Sequence, residues 1–114
     1  MKEENIRAVV RVRIGREQIF MGKGVRELLE AIEQHKSIKK ATEITGISYP
    51  KAMRMLKTFE KELGFPAVVS EKGGSKFGGT ILTEKGKEVL QCYCEIEEEV
   101  EEYTKNLVAE KFRF

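Results

Sequence analysis

The chain has 114 residues, 40% hydrophobic and 35% charged, with a formal net charge of +2 and two cysteines. That length suits one domain with a modest core, and no apolar run nears the roughly 20 residues that span a bilayer. Met1–Asn5 lacks the apolar stretch of a secretion signal, so a cytoplasmic chain with no membrane partner is expected.

The overall charge hides a strong asymmetry. Residues 36–87 carry eleven Lys/Arg against five Glu, a net of +6, whereas residues 88–114 carry eight Glu against three Lys/Arg, a net of −5. A basic segment of that size suits a polyanionic partner, although a solvated lysine-rich surface gives the same count.

Residues Arg7–Ile14 alternate, with Ala8, Val10, Val12 and Ile14 on one side and Arg7, Val9, Arg11 and Arg13 on the other. That period of two predicts a strand with one buried face. Gly15–Gln18 reads as a turn and Ile19–Met21 as a short returning strand, after which Gly22-Lys23-Gly24 breaks the pattern. Val25, Leu28, Leu29 and Ile32 fall at i, i+3, i+4 and i+7, predicting an amphipathic helix over about Val25–His35. Ser37 is placed to cap a second helix, Ile38–Thr45, which would bury Ile38, Ala41 and Ile44 and end at Gly46.

Ser48 caps the third predicted helix, with Pro50 in its first turn, where a missing amide costs nothing. Ala52, Leu56, Phe59 and Leu63 form its core stripe, and Lys51, Arg54, Lys57, Thr58 and Lys61 occupy the opposite face. Gly64-Phe65-Pro66 stops it. Two β-rich arms, Ala67–Ser70 and Thr80–Leu82, then flank a Gly/Lys-rich hairpin, Glu71–Gly79. Thr83 caps a last helix reaching about Lys111. In it Val89, Tyr93, Ile96, Val100, Tyr103 and Leu107 repeat as a heptad seam. The seam fits the same helix of a second chain, and the alternative is packing on the N-terminal strand of its own chain.

A helix-turn-helix followed by a cationic glycine wing is one way to grip a DNA duplex. Ser48, Tyr49 and Lys51 lie in the first turn of the second helix, with Arg54 one turn on. Arg54 and Lys51 can donate to guanine O6 and N7, and Ser48 with the free amides can hold a phosphate. Lys57, Lys61, Lys39 and Lys40 would neutralise backbone. In the wing, Lys72, Gly73, Gly74, Ser75 and Lys76 would approach a groove wall, with Phe77 pinning the loop. A nucleotide-binding phosphate loop fits less well: no Gly-Lys-Ser/Thr closes the hairpin, and a β arm follows it rather than a helix.

Other chemistry has little support. Cys92 and Cys94 would point about 200° apart on a helix, which disfavours an intrachain disulfide. They read as reduced, partly buried packing residues. With His35 the lone histidine, a zinc site cannot be assembled, and no cofactor is implied. The acidic residues of the last helix read as solvated surface, and no catalytic set can be built, so the chain is not expected to be an enzyme. A protein-interaction module working through the acidic heptad helix is the alternative class. A sensor based on Cys92 and Cys94 is a third.

Several stretches resemble the N-terminal DNA-binding domain of the ModE family of molybdate-dependent transcriptional regulators, related to the winged helix of LysR-type regulators. These are Leu28-Leu29-Glu30-Ala31-Ile32, Ser37-Ile38 with Ala41, Gly46-Ile47-Ser48-Tyr49-x-Lys51-Ala52, and the glycine pairs Gly73-Gly74 and Gly78-Gly79 followed by Leu82-Thr83-x-x-Gly86. Met53 stands where the family usually has Trp, and Pro50 where it has a basic or polar residue. The resemblance implies a mostly α fold with small β (α+β), a winged helix-turn-helix binding double-stranded DNA as a homodimer on a pseudo-palindromic operator. One domain over residues 1–114 is expected, with the helix-turn-helix at about 37–63, the wing at about 67–82 and a dimerisation helix at about 83–111. Full-length members carry C-terminal molybdate-binding domains, and residues 1–114 show no such sensor, so molybdate is not expected to bind this chain itself.

Overall fold

The computed structural model describes residues 6–71 and 79–114. Along the chain run β1 (Ile14–Gly15), β2 (Ile19–Met21), α1 (Lys23–His35), α2 (Ile38–Thr45), α3 (Tyr49–Leu63), β3 (Val68–Glu71), β4 (Gly79–Leu82) and α4 (Glu84–Lys111). The architecture is mostly helical, with two antiparallel two-stranded sheets, β1–β2 and β3–β4.

The predicted stripes become the core. Val25, Leu28, Leu29 and Ile32 of α1 are buried with Met21, Ala41, Ala52, Leu56, Phe59, Ala67, Leu82, Leu90 and Tyr93. Phe59 sits edge-on to both Phe20 and Phe65, with ring centroids 6.3 and 6.0 Å apart, a favoured geometry for aromatic rings. Helix α1 starts two residues before its apolar stripe and takes in Gly24. A side chain at Gly24 would crowd the Met55 methyl. Ile44 of α2 is 54% exposed and does not join the core, so Ala41 is the one buried residue of that helix.

Each helix boundary has a chemical cause. Ser37 accepts from the Lys40 amide and Ser48 from the Lys51 amide, each satisfying an orphan donor of a first turn. Gly46 (φ 79°) and Gly64 (φ 84°) end α2 and α3 in the left-handed region that glycine tolerates. Helix α1 ends at Lys36, which takes φ 56°. The Lys36 carbonyl accepts from the Thr80 amide at 3.0 Å, tying the end of α1 to β4.

Thr83 fixes the junction of β4 and α4. Its hydroxyl accepts from the Gly86 amide at 2.9 Å and donates to the Pro66 carbonyl at 2.8 Å, while its amide donates to the Ala67 carbonyl at 2.9 Å. A Cβ at Gly86 would collide with that same Ala67 carbonyl. Leu82-Thr83-x-x-Gly86 is therefore a packing unit: a buried leucine, a cap that grips the strand opposite, and a glycine that lets the helix approach it.

The N-terminal strand is the main correction. Only Ile14 and Gly15 pair, opposite Met21 and Ile19, with an irregularity between them. Residues 6–13 lie outside any sheet among the described residues, although their exposure still alternates. Helix α4 holds the arm at one point instead: the Tyr93 hydroxyl donates to the Val12 carbonyl at 2.6 Å. Period two reports a two-faced extended segment and does not require a strand partner.

The molecule measures 62 × 29 × 23 Å, with a radius of gyration of 17.3 Å, against about 13 Å for a compact domain of this length. The excess comes from α4. Its 28 residues make a rod of roughly 42 Å, and its buried residues, Gly86, Leu90 and Tyr93, all lie in the first third.

Candidate nucleic-acid interface

Helix α3 divides cleanly. Ala52, Leu56 and Phe59 are buried, whereas Lys51, Arg54, Lys57 and Lys61 are exposed, with Thr58 half-buried between them. Spacings of three and four residues align these cations as neighbours along one face. Tyr49, at the helix start, is 51% exposed, and Met53 is exposed beside Arg54. Lys39 and Lys40 of α2 are also exposed, and no ion pair involves any of these cations among the described residues.

The turn that aims this face is held at several points. The Thr45 hydroxyl donates to the Ala41 carbonyl and accepts from the Ile47 amide. Ile47 packs half-buried against the core, Ser48 caps, and Pro50 opens the helix without a lost donor. Ser48 Oγ already accepts from the Lys51 amide, so toward a phosphate its hydroxyl serves as a donor.

Beside α3 lie β3 and β4. Val68, Val69, Ser70 and Glu71 of β3 pair with Leu82, Ile81, Thr80 and Gly79 of β4. Ile38, Met53, Arg54, Lys57, Pro66 and Val68 line an open groove of about 360 Å³ between α2, α3 and the start of β3. Lys72, Gly73, Gly74, Ser75, Lys76 and Phe77 lie outside the described residues. The structure therefore brings Tyr49, Lys51, Arg54 and Lys57 onto one helix with Ser48 as its cap, and describes the β3–β4 hairpin to residue 71 on one arm and from 79 on the other.

Two interactions escaped pattern reading. Buried Glu62 accepts from the amides of Glu17 and Gln18 at 2.8 and 3.2 Å, locking the β1–β2 turn onto the end of α3. Those two backbone donors hold its carboxyl below the ordinary carboxylate value. Arg26 of α1 pairs with Glu30 at 3.2 Å and with Glu97 of α4 at 3.0 Å, clamping the two helices. The i,i+4 spacing of Arg26 and Glu30 was readable; nothing in the sequence links Glu97 or Glu62 to its partners.

The heptad residues of α4 fall into two groups. Tyr93 is 1% exposed inside its own chain, and Val89 packs on the core. Burial pushes the Tyr93 phenol up to about 12, with Glu97 adding to the effect. Ile96 is 41% and Tyr103 67% exposed, and Val100 and Leu107 are half-buried. Cys94 is half-buried, its thiol pushed up by burial and then by Glu30, whereas Cys92 is exposed and is not the packing residue expected.

Among known proteins, 70 residues, 61% of this chain, align at 37% identity with the molybdenum transport protein ModE of Azotobacter vinelandii. The aligned region is 26% of that protein, so the chain spans about a quarter of the relative it matches. No family model matches the chain.

Proposed function

We propose that the chain is a sequence-specific DNA-binding module of a transcriptional regulator, a single winged helix-turn-helix that works as a homodimer on a pseudo-palindromic operator. The carrying observation is the exposed Lys51, Arg54 and Lys57 face of α3, backed by a fixed turn and flanked by the β3–β4 wing. Similarity to ModE over 61% of the chain supports the same reading. Because only about a quarter of that relative is matched, the reading covers DNA and a second copy and does not extend to molybdenum.

In this reading α3 enters the major groove by its N-terminal turn. Lys51 and Arg54 donate to base edges, while Ser48, Tyr49, Lys57 and the wing residues Lys72, Gly73, Gly74, Ser75 and Lys76 hold the phosphate backbone. Lys39 and Lys40 add charge from α2. Of the six predicted seam residues, Ile96, Val100, Tyr103 and Leu107 supply the dimer contact, while Val89 and Tyr93 are taken up by the core of their own chain.

Selection from random duplexes, followed by binding titrations, tests the reading. Arg54→Ala should weaken binding to the selected duplex by about tenfold or more and broaden the preferred sequence, and Lys76→Ala should weaken it without broadening. Equal retention of all three proteins on DNA would remove the reading. The exposed stripe on α4 favours the second reading, a protein-interaction module. That reading requires no DNA retention at low salt.

A further inference from the structure

Deepening the DNA reading above and resting on it, we infer that Met53 reads the 5-methyl group of a thymine beside the base pair contacted by Arg54.

Helix α3 carries an apolar strip next to its cations. Tyr49 and Met53 lie one turn apart, about 40° from each other around the helix. They are 51% and 40% exposed, although Ala52 and Leu56 in the same two turns are buried. A single exposed apolar side chain is ordinary on a protein surface. This one is continuous with others, because Met53 lines the groove together with Ile38, Pro66 and Val68. Arg54 and Lys57 line the same groove. The strip therefore borders the cationic face of α3 and travels with it into a major groove.

The chemistry of base edges selects the occupant. In the major groove adenine, guanine and cytosine present only donors and acceptors to a side chain. Thymine alone adds an apolar group, its C5 methyl. A phosphate suits the groove less well, because Glu60 lines it beside the two cations and its remaining lining residues are apolar. A neutral methyl meets neither repulsion nor an unpaired polar group there. Methionine suits the contact, since its unbranched chain and polarizable thioether adapt to a small apolar partner.

Adjacency on the helix fixes which thymine is read. Met53 and Arg54 are consecutive, about 1.5 Å apart along α3 and about 100° apart around it. With Arg54 donating to a guanine, Met53 reaches the neighbouring pair, roughly 3.4 Å along the duplex. The two side chains divide one base-pair step, a polar edge for Arg54 and an apolar one for Met53. The selected half-site should therefore hold a guanine and a thymine on adjacent pairs.

Deoxyuridine supplies the test, since it lacks the methyl and keeps every hydrogen-bonding group of thymine. In the duplex enriched from random sequences, each thymine is replaced in turn and the duplex titrated with the full chain. One thymine per half-site, next to the guanine whose preference Arg54→Ala abolishes, should weaken binding by about fourfold when replaced. Met53→Gln, similar in length but polar, should bind the thymine and deoxyuridine duplexes equally, and Met53→Leu should keep the discrimination. That coupling separates a methyl contact from a general loss of binding. Because Met53 is exposed, both variants should melt as the wild type does. Tolerance of deoxyuridine at every position overturns the proposal, and so does an equal penalty in wild type and Met53→Gln. Either result on an enriched duplex leaves the DNA reading standing. A chain that enriches no duplex removes that reading and this inference together.

Discussion

The two halves of α4 carry one heptad rhythm in opposite surroundings. In the first half, Val89, Leu90 and Tyr93 close onto α1, β4 and the N-terminal arm, with Arg26–Glu97 as a clamp. In the second half the same rhythm continues through Ile96, Val100, Tyr103 and Leu107, and the body has ended. A heptad therefore identifies an apolar face and leaves its partner to be found from burial. The comparison also assigns different consequences to similar substitutions.

The largest contrast is between buried and free positions. Leu90→Ala should destabilise the fold by about 2–5 kcal/mol in urea titration, because it leaves a cavity under α4. Tyr103→Ala, on the free half, should change the melting of the body by no more than about 0.5 kcal/mol. Equal effects would mean that the distal half belongs to the same cooperative unit. Gly86→Ala comes next, at about 1–3 kcal/mol, since its methyl meets the Ala67 carbonyl and α4 must shift away from β3. A neutral Gly86→Ala would contradict the close helix–strand contact.

Tyr93→Phe should cost about 1 kcal/mol by removing the hydroxyl that donates to Val12. It also carries a pH signature. With the phenol raised in the fold from 10.0 to about 12, its contribution is complete below pH 10 and is lost as pH rises toward 12. Ultraviolet titration should show the Tyr93 phenol ionising only as pH approaches 12. The smallest effect belongs to Glu62. Its folded value is lowered from 4.5, so its contribution is present above that pH and fades as pH falls through the lower folded value. Glu62→Gln should flatten the acid side of the stability profile, and an unchanged profile would show that the β1–β2 turn does not depend on the carboxylate.

Much of this arrangement was legible because local chemistry determined it. The caps Ser37, Ser48 and Thr83, the stops Gly46 and Gly64, and the stripes of α1 and α3 are short-range signals, and they appear where the sequence placed them. What could not be read depends on distant partners. Residues 6–13 alternate like a strand, but among the described residues no ladder forms beyond Ile14, and the Tyr93 hydroxyl of α4 takes up the Val12 carbonyl. Glu62 looked like one more surface glutamate until the β1–β2 turn closed over it. Ile44 fits the α2 stripe by spacing, yet an eight-residue helix buries only Ala41. For the candidate interface, the common exposed face of Lys51, Arg54 and Lys57 was legible from helical spacing alone.

The most direct test of the account is the salt dependence of duplex binding, comparing the full chain with a Lys51→Ala, Arg54→Ala, Lys57→Ala variant. If those three cations displace counterions from phosphates or base edges, the slope of log Kd against log salt should shrink by about 2 to 3, with weaker binding throughout. A variant that binds the same duplex with unchanged affinity and slope would contradict the assignment of α3 as the DNA-facing helix.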